Sequence, residues 1–278
     1  MGLGEYYHFG ILSRIQSFLS SLPKSVNHLR LVVKVYGLPL AKSSTLQLWP
    51  ILFSVNEIPS EVFCAGIYEG RTKPEVAEEF LHDFIEEMKG LTETGVTLDT
   101  GRLFRLSIFA VSCDAPAEAF VLGCKHHNGY SSCTRCIQKG KRVSKTMTFP
   151  KVLCKKRTHR SFIRKSDKNF HVGGSSPFEK IPGIDMIKTF ALDYMHLVCL
   201  VVVRTIFKLW VCGKRPFKLS SLAVTRISCS LLALRPYLPS ELLHEERTLD
   251  EEFNNFEKQL KAGSVIIIFV QLLLYWSV

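Results

Sequence analysis

Between Leu29 and Leu122 the hydrophobic period of the chain switches in one order: strand, strand, strand, helix, strand, helix. Leu29–Val35 is a short run rich in β-branched residues, closed by Gly37 and Pro39. Leu46–Val55 and Val62–Tyr68 are the next two strand candidates. Pro74 stands where a first helical turn tolerates it. From there Val76, Phe80, Phe84, Ile85 and Met88 recur at helical spacing, with Glu78, Glu79, Asp83, Glu86 and Glu87 on the opposite face. Arg102–Ser112 reads as a fourth strand that delivers Cys113-Asp114 at its end, and Pro116 opens a helix over Ala117–Leu122. A hairpin-built trio followed by a helical crossover restricts the fold to an α/β class with a mixed sheet.

A ribonuclease H-like mixed sheet with flanking helices has this order, and so do other mixed α/β sheets. Around this core, residues 5–22 read as a helix, with Tyr6, Phe9, Ile11, Ile15, Phe18, Leu19 and Leu22 on one broad face. The expected organisation is therefore an N-terminal helical segment over 1–28 and the first half of the core over 29–122. A Cys/His-rich basic insertion over 123–180 and a helical C-terminal part over 181–278 follow. In the last part Leu192–Val211 is apolar on nearly every side and reads as central. Leu219–Leu234 is a second helix, and Thr248 with Glu251 forms a capping-box pair opening a third.

At 46% hydrophobic and 22% charged residues, the chain has enough apolar material for a core, which excludes disorder over most of its length. Nine cysteines, an odd number with no basic-then-apolar leader before them, read as reduced thiols of the cytosol or nucleus. Phe190–Val203 contains Asp193 and His196, and Val265–Val278 contains Gln271. Both fall short of the roughly 20 apolar residues of a spanning helix, so neither implies a membrane. The second stops at Val278 without cap or turn and reads as an element cut short, and the chain as a fragment.

Two features of the insertion carry chemistry. Cys133 and Cys136 form a C-x-x-C pair, and Cys124 with His127 forms a C-x-x-H pair just upstream, four donors in all, the number a structural Zn²⁺ needs. The alternatives are His126 in place of His127, the distant His196 as fourth ligand, or free surface thiols. Lys125, Arg135 and Lys139 would favour thiolate over thiol. The second feature is charge. Lys139–Lys168 holds twelve Lys or Arg and one acid, a surplus equal to the net +11 of the whole chain. Lys141, Arg142, Lys155, Lys156, Arg157 and Arg160 are the candidate phosphate contacts, with Phe149, Phe162 and Phe170 interleaved. A solvated basic loop or a nuclear-import patch would look the same.

Four segments together resemble a known family. They are Val35-Tyr-Gly-Leu-Pro-Leu-Ala-Lys-Ser-Ser44 with Trp49-Pro50-Ile51; Cys113-Asp-Ala-Pro-Ala117; His127-Asn-Gly-Tyr-Ser-Ser-Cys-Thr-Arg-Cys136; and Leu192-Asp-Tyr-Met-His-Leu197. In this order they look like animal transposase-domain-containing proteins similar to CACTA-type cut-and-paste DNA transposases, over about Tyr6 to Ser240. The resemblance implies a ribonuclease H-like catalytic core of the DDE/D type. In it two Mg²⁺ ions, held by Asp, Asp and a later Asp or Glu, activate the attacking oxygen and stabilise the leaving one.

The first family Asp stands directly before Gly-Leu-Pro, where this chain has Tyr36; the second matches Asp114. The third falls among Glu245, Glu246, Asp250, Glu251 and Glu252, or beyond Val278. A phenol is neutral at pH 7, with a pKa of about 10, and cannot bridge two Mg²⁺ ions. The expectation is a transposase-derived, catalytically inactive nuclear protein from which Mg²⁺ chemistry has been lost. DNA is the expected partner, with a homo-oligomer left open. An active transposase or nuclease with a substitute carboxylate, or a host-recruited DNA- or protein-binding module, are the alternatives. Asp193 and His196, three apart on one helix face, read either as part of the catalytic side or as a buried hydrogen-bonded pair.

Overall fold

In the run His28–Val35 every second side chain, Leu29, Leu31, Val33 and Val35, is fully buried. Its alternates Arg30, Val32 and Lys34 are half-buried, which is the pattern of a strand with one covered face. A computed structural model describes residues 4–40, 45–143 and 146–233. In chain order the strands are β1 (Gly4–His8), β2 (His28–Val35), β3 (Leu38–Pro39), β4 (Gln47–Val55), β5 (Ile58–Gly70), β6 (Val96–Thr97), β7 (Leu103–Cys113), β8 (Lys141–Val143), β9 (Thr146–Thr148) and β10 (Phe190–Leu192). The helices are α1 (Leu12–Leu19), α2 (Ala77–Thr94), α3 (Ala115–Leu122) and α4 (His159–Ile163), then α5 (Arg204–Cys212) and α6 (Ser221–Ala233).

The central sheet runs β1-β5-β4-β2-β7-β10. β1–β5, β5–β4 and β4–β2 pair antiparallel, whereas β2–β7 and β7–β10 pair parallel. The chain is therefore mixed α/β with a mixed sheet and flanking helices. α2 buries Phe80, Leu81, Phe84, Ile85, Met88 and Leu91 against the covered face. Phe80 makes edge contacts with Tyr6, Trp49 and Tyr68, at centroid separations of 5.9–6.3 Å.

The helix expected over 5–22 is corrected. Gly4–His8 is a strand on β5, Gly10 turns the chain at φ +84°, and the helix begins only at Leu12. The glycines diagonal to the tyrosines across the β1–β5 pair are the missed signal. A Cβ on Gly66 would lie 2.2 Å from the Tyr6 hydroxyl, and one on Gly4 2.3 Å from the Tyr68 ring. Bare backbone on one strand thus receives an aromatic ring from the other.

Glu87, expected on the solvent face of α2, reaches across to the start of α1. Its carboxylate accepts from the Ile11 and Leu12 N–H groups at 2.7 and 3.0 Å, and lies 2.9 Å from His8 Nε2. Those two amides have no partner within their own helix.

β10 is the second correction. Phe190–Leu192, expected as helix, is a three-residue strand parallel to β7, too short and apolar for periodicity to separate from helix. The chain divides into two units at Leu192/Asp193. In the second, Met195–Val203 forms a π-helical segment that runs into α5. Leu197, Val201, Val202, Ile206 and Leu209 are exposed there. Among the described residues no helix is long and apolar enough to cross a membrane. The Thr248–Glu251 helix lies outside them.

Glu87→Ala removes the acceptor for both α1 amides. Thermal or urea unfolding should show a loss of about 2 kcal/mol, while Glu86→Ala, on the same helix, should change little.

Candidate functional site

The ends of β2 and β7 form the first candidate site. The register pairs Val35 with Cys113 on parallel neighbours, so Tyr36 and Asp114 leave the sheet side by side. A β-bulge sets this alignment. Leu31 pairs with Ile108 but Val32 with Ala110, leaving Phe109 as the extra residue. Phe104 and Leu106 face the core before the bulge, and Val111 and Cys113 after it. Without the extra residue the parity would invert, and Val111 and Cys113 would point the other way.

Asp114 caps α3, its Oδ1 accepting from the Ala117 N–H at 2.8 Å. The Tyr36 hydroxyl lies 3.5 Å from Ser112 Oγ on β7. Gly37 follows because the Trp49 ring closes over it: a Cβ there would be 2.7 Å from the indole. Asp114, with one oxygen in the α3 cap and a phenol for its neighbour, does not supply the set of carboxylates a two-Mg²⁺ site needs. The candidate third carboxylates Glu245, Glu246, Asp250, Glu251 and Glu252 lie outside the described residues.

The second site is the insertion. α3 ends at Gly123 in the left-handed conformation, φ +61°. Gly123–Lys125 then pairs with Phe170–Val172, through Lys125 N–H to Phe170 O and Val172 N–H to Gly123 O, both 2.8 Å. This buries Cys124, whose thiol is pushed up to about 12 by burial and by Glu118, with Arg157 opposing. Cys133 and Cys136 come together, Sγ to Sγ 3.4 Å. Burial, then the neighbouring thiol, raises Cys133 above the ordinary range, against opposing backbone hydrogen bonds.

His127 is exposed, its ring tilted against that of His126 at a centroid separation of 4.1 Å. Burial of part of its ring and the neighbouring His126 hold its pKa down, while Asp114 pulls it up. Among the described residues no group of three or more His, Cys, Asp or Glu is arranged to hold a metal ion. The Cys133–Cys136 pair fits two corners of a tetrahedral Zn²⁺ site; Cys124 and His127 do not complete it in this arrangement. Asp193 and His196 belong to the second unit. There Asp193 is buried, its Oδ2 2.5 Å from His196 Nδ1 and its Oδ1 accepting from the His196 N–H at 3.2 Å. They form the hydrogen-bonded pair that sequence reasoning set beside the catalytic reading.

The basic residues separate into two kinds. Lys141 and Arg142 on β8, and Lys155, Lys156 and Arg160, are exposed. Arg157 is not a surface contact: its side chain is 4% exposed. Its Nε donates to Cys133 O and a terminal nitrogen to Asp167 Oδ2, both at 2.8 Å. Its Cζ lies 3.8 Å from the centre of the Phe170 ring. One guanidinium therefore ties the C-x-x-C loop to the chain around Asp167 and Phe170. Arg135, inside the same C-x-x-C, donates to the carbonyls of Ile187 and Phe190 and lies 3.7 Å from Glu118. It anchors the insertion to the edge strand. Neither role was visible locally, since a Lys-Lys-Arg run marks none of its members as buried.

Arg157→Met should destabilise the protein by about 3 kcal/mol, because Asp167 and the Cys133 carbonyl lose their donor. Denaturant unfolding measures the loss, and amide exchange should place it in residues 124–171. No protein-family model matches this chain, and no curated protein matches it either.

Proposed function

We propose that this chain derives from a DDE-type DNA transposase with a ribonuclease H-like sheet, that it no longer cuts or joins DNA, and that it keeps a nuclear, DNA-binding insertion. The strand order β5-β4-β2-β7-β10, with an antiparallel trio and two parallel additions, supports the ribonuclease H-like reading. So do the crossovers through α2 and α3. The observation that carries the loss of chemistry is Tyr36 beside Asp114 at the ends of the two central parallel strands. Metal-dependent phosphoryl transfer needs hard oxygen anions at that point. Glu118, the next acid along α3, lies 3.7 Å from Arg135, which argues against its serving as a substitute ligand. The exposed cations of the insertion support contact with a phosphate backbone, where charge positions the partner without reading its sequence.

Purified protein incubated with supercoiled plasmid in Mg²⁺ or Mn²⁺ should nick no more than a protein-free blank, and robust nicking would reject the reading. Tyr36→Asp should raise Mn²⁺ affinity measured by calorimetry, because it adds a second carboxylate next to Asp114.

The Zn²⁺ reading rests on Cys133 and Cys136. If they hold the ion with ligands recruited on binding, the purified chain carries one zinc per molecule by elemental analysis. Cys133→Ala with Cys136→Ala should remove it. An apo-protein from zinc-supplemented growth would rule the site out.

A further inference from the structure

Beside the C-x-x-C loop the insertion forms a half-open cavity of about 590 Å³, within the roughly 300–1,000 Å³ of small-ligand sites. One wall is the strip Lys155–Arg157, hydrogen-bonded to the loop through Ile137 N–H to Lys155 O at 3.1 Å and Arg157 N–H to Arg135 O at 2.9 Å. Another is α4, started by a reciprocal Thr158–Ser161 capping box, with Arg160 and Arg164 four residues apart on one side.

Besides the paired Arg157, five cations line the cavity: Lys139, Lys155, Lys156, Arg160 and Arg164. Among the described residues none of the five takes part in an ion pair. The single acid in the lining, Asp167, is bound by the buried Arg157. Like charges gathered on a concave wall repel one another and concentrate positive potential there, a cost that a bound anion removes. The two guanidinium groups match phosphate oxygens in pairs, and the ammonium groups add point charge. The lining contains no aromatic ring and one apolar side chain, Ile137, so nothing there stacks on a base or a sugar-linked ring.

We propose that this cavity binds a cluster of adjacent phosphate groups, recognised by charge alone. The same chemistry is presented by consecutive phosphodiesters of a DNA strand and by a free oligophosphate. The inference deepens the DNA-binding reading by giving it a seat, but it stands on the cavity and can be tested apart from that reading.

The test uses the full chain at low salt, inorganic tripolyphosphate measured by calorimetry, and a fluorescein-labelled twelve-residue oligothymidylate. Lys155→Gln with Arg160→Gln should weaken tripolyphosphate binding at least tenfold. Lys24→Gln with Arg71→Gln removes the same charge from exposed sites outside the cavity and should change it less than twofold. If the pocket double variant melts early, Arg164→Gln alone serves, with a several-fold loss expected.

Displacement of the oligonucleotide by tripolyphosphate identifies a DNA strand as the source of the phosphates. Tripolyphosphate binding without displacement supports the cavity and assigns it to a free oligophosphate. A wild-type chain that binds tripolyphosphate but no DNA sinks only the DNA reading. Absence of tripolyphosphate binding, or equal losses in the two charge-matched variants, overturns the cavity site.

Discussion

Eight residue pairs hold β2 against β7, and one residue of β7, Phe109, is left over. That parallel contact and its bulge govern the rest of the first unit. The bulge brings Val111 and Cys113 to the core face, where they meet Val33 and Val35. It also delivers Tyr36 and Asp114 to neighbouring positions at the edge of the sheet. β10 continues from β7 in the same parallel sense, and its carbonyl at Phe190 receives Arg135 from the insertion. The sheet thus positions Tyr36 beside Asp114 and anchors the basic insertion through one strand.

Arginine does two unlike things within the insertion. Arg135 and Arg157 face inward, satisfying backbone carbonyls and carboxylates that the loop-rich chain would otherwise leave desolvated. Arg160 and Arg164 face the cavity without ion-pair partners among the described residues. A segment with little regular structure keeps its form through the first pair, which leaves the second pair free to meet an anion. The planar, five-donor guanidinium suits both tasks, whereas lysine would serve the internal one poorly.

The amphipathic helix through Phe80, Phe84 and Met88 was legible because its apolar stripe has the 3.6-residue period, and it appears as α2. The strands at Leu29–Val35, Leu46–Val55 and Arg102–Ser112 were legible within two residues of their ends for the equivalent reason. β1 was not, since five residues with Tyr6 and Tyr7 adjacent show no clear alternation and fit a helical face almost as well as a strand. The C-x-x-C pair was legible from spacing and does come together. The proposed partnership with Cys124 and His127 was not a matter of spacing. Pairing with His171 buries Cys124 from a strand more than forty residues away.

By itself, the sequence determined which segments carry a period, where charge accumulates, and that a phenol stands directly before Gly-Leu-Pro. These are local properties, set by neighbours a few residues apart. Only the tertiary structure decided that Tyr36 adjoins Asp114, that Arg157 is buried while Arg160 lines a cavity, and that Glu87 caps a helix seventy-five residues earlier. Each of those outcomes depends on pairing register and packing between distant segments. Burial and hydrogen-bond partners are properties of a place in the fold and not of a residue type.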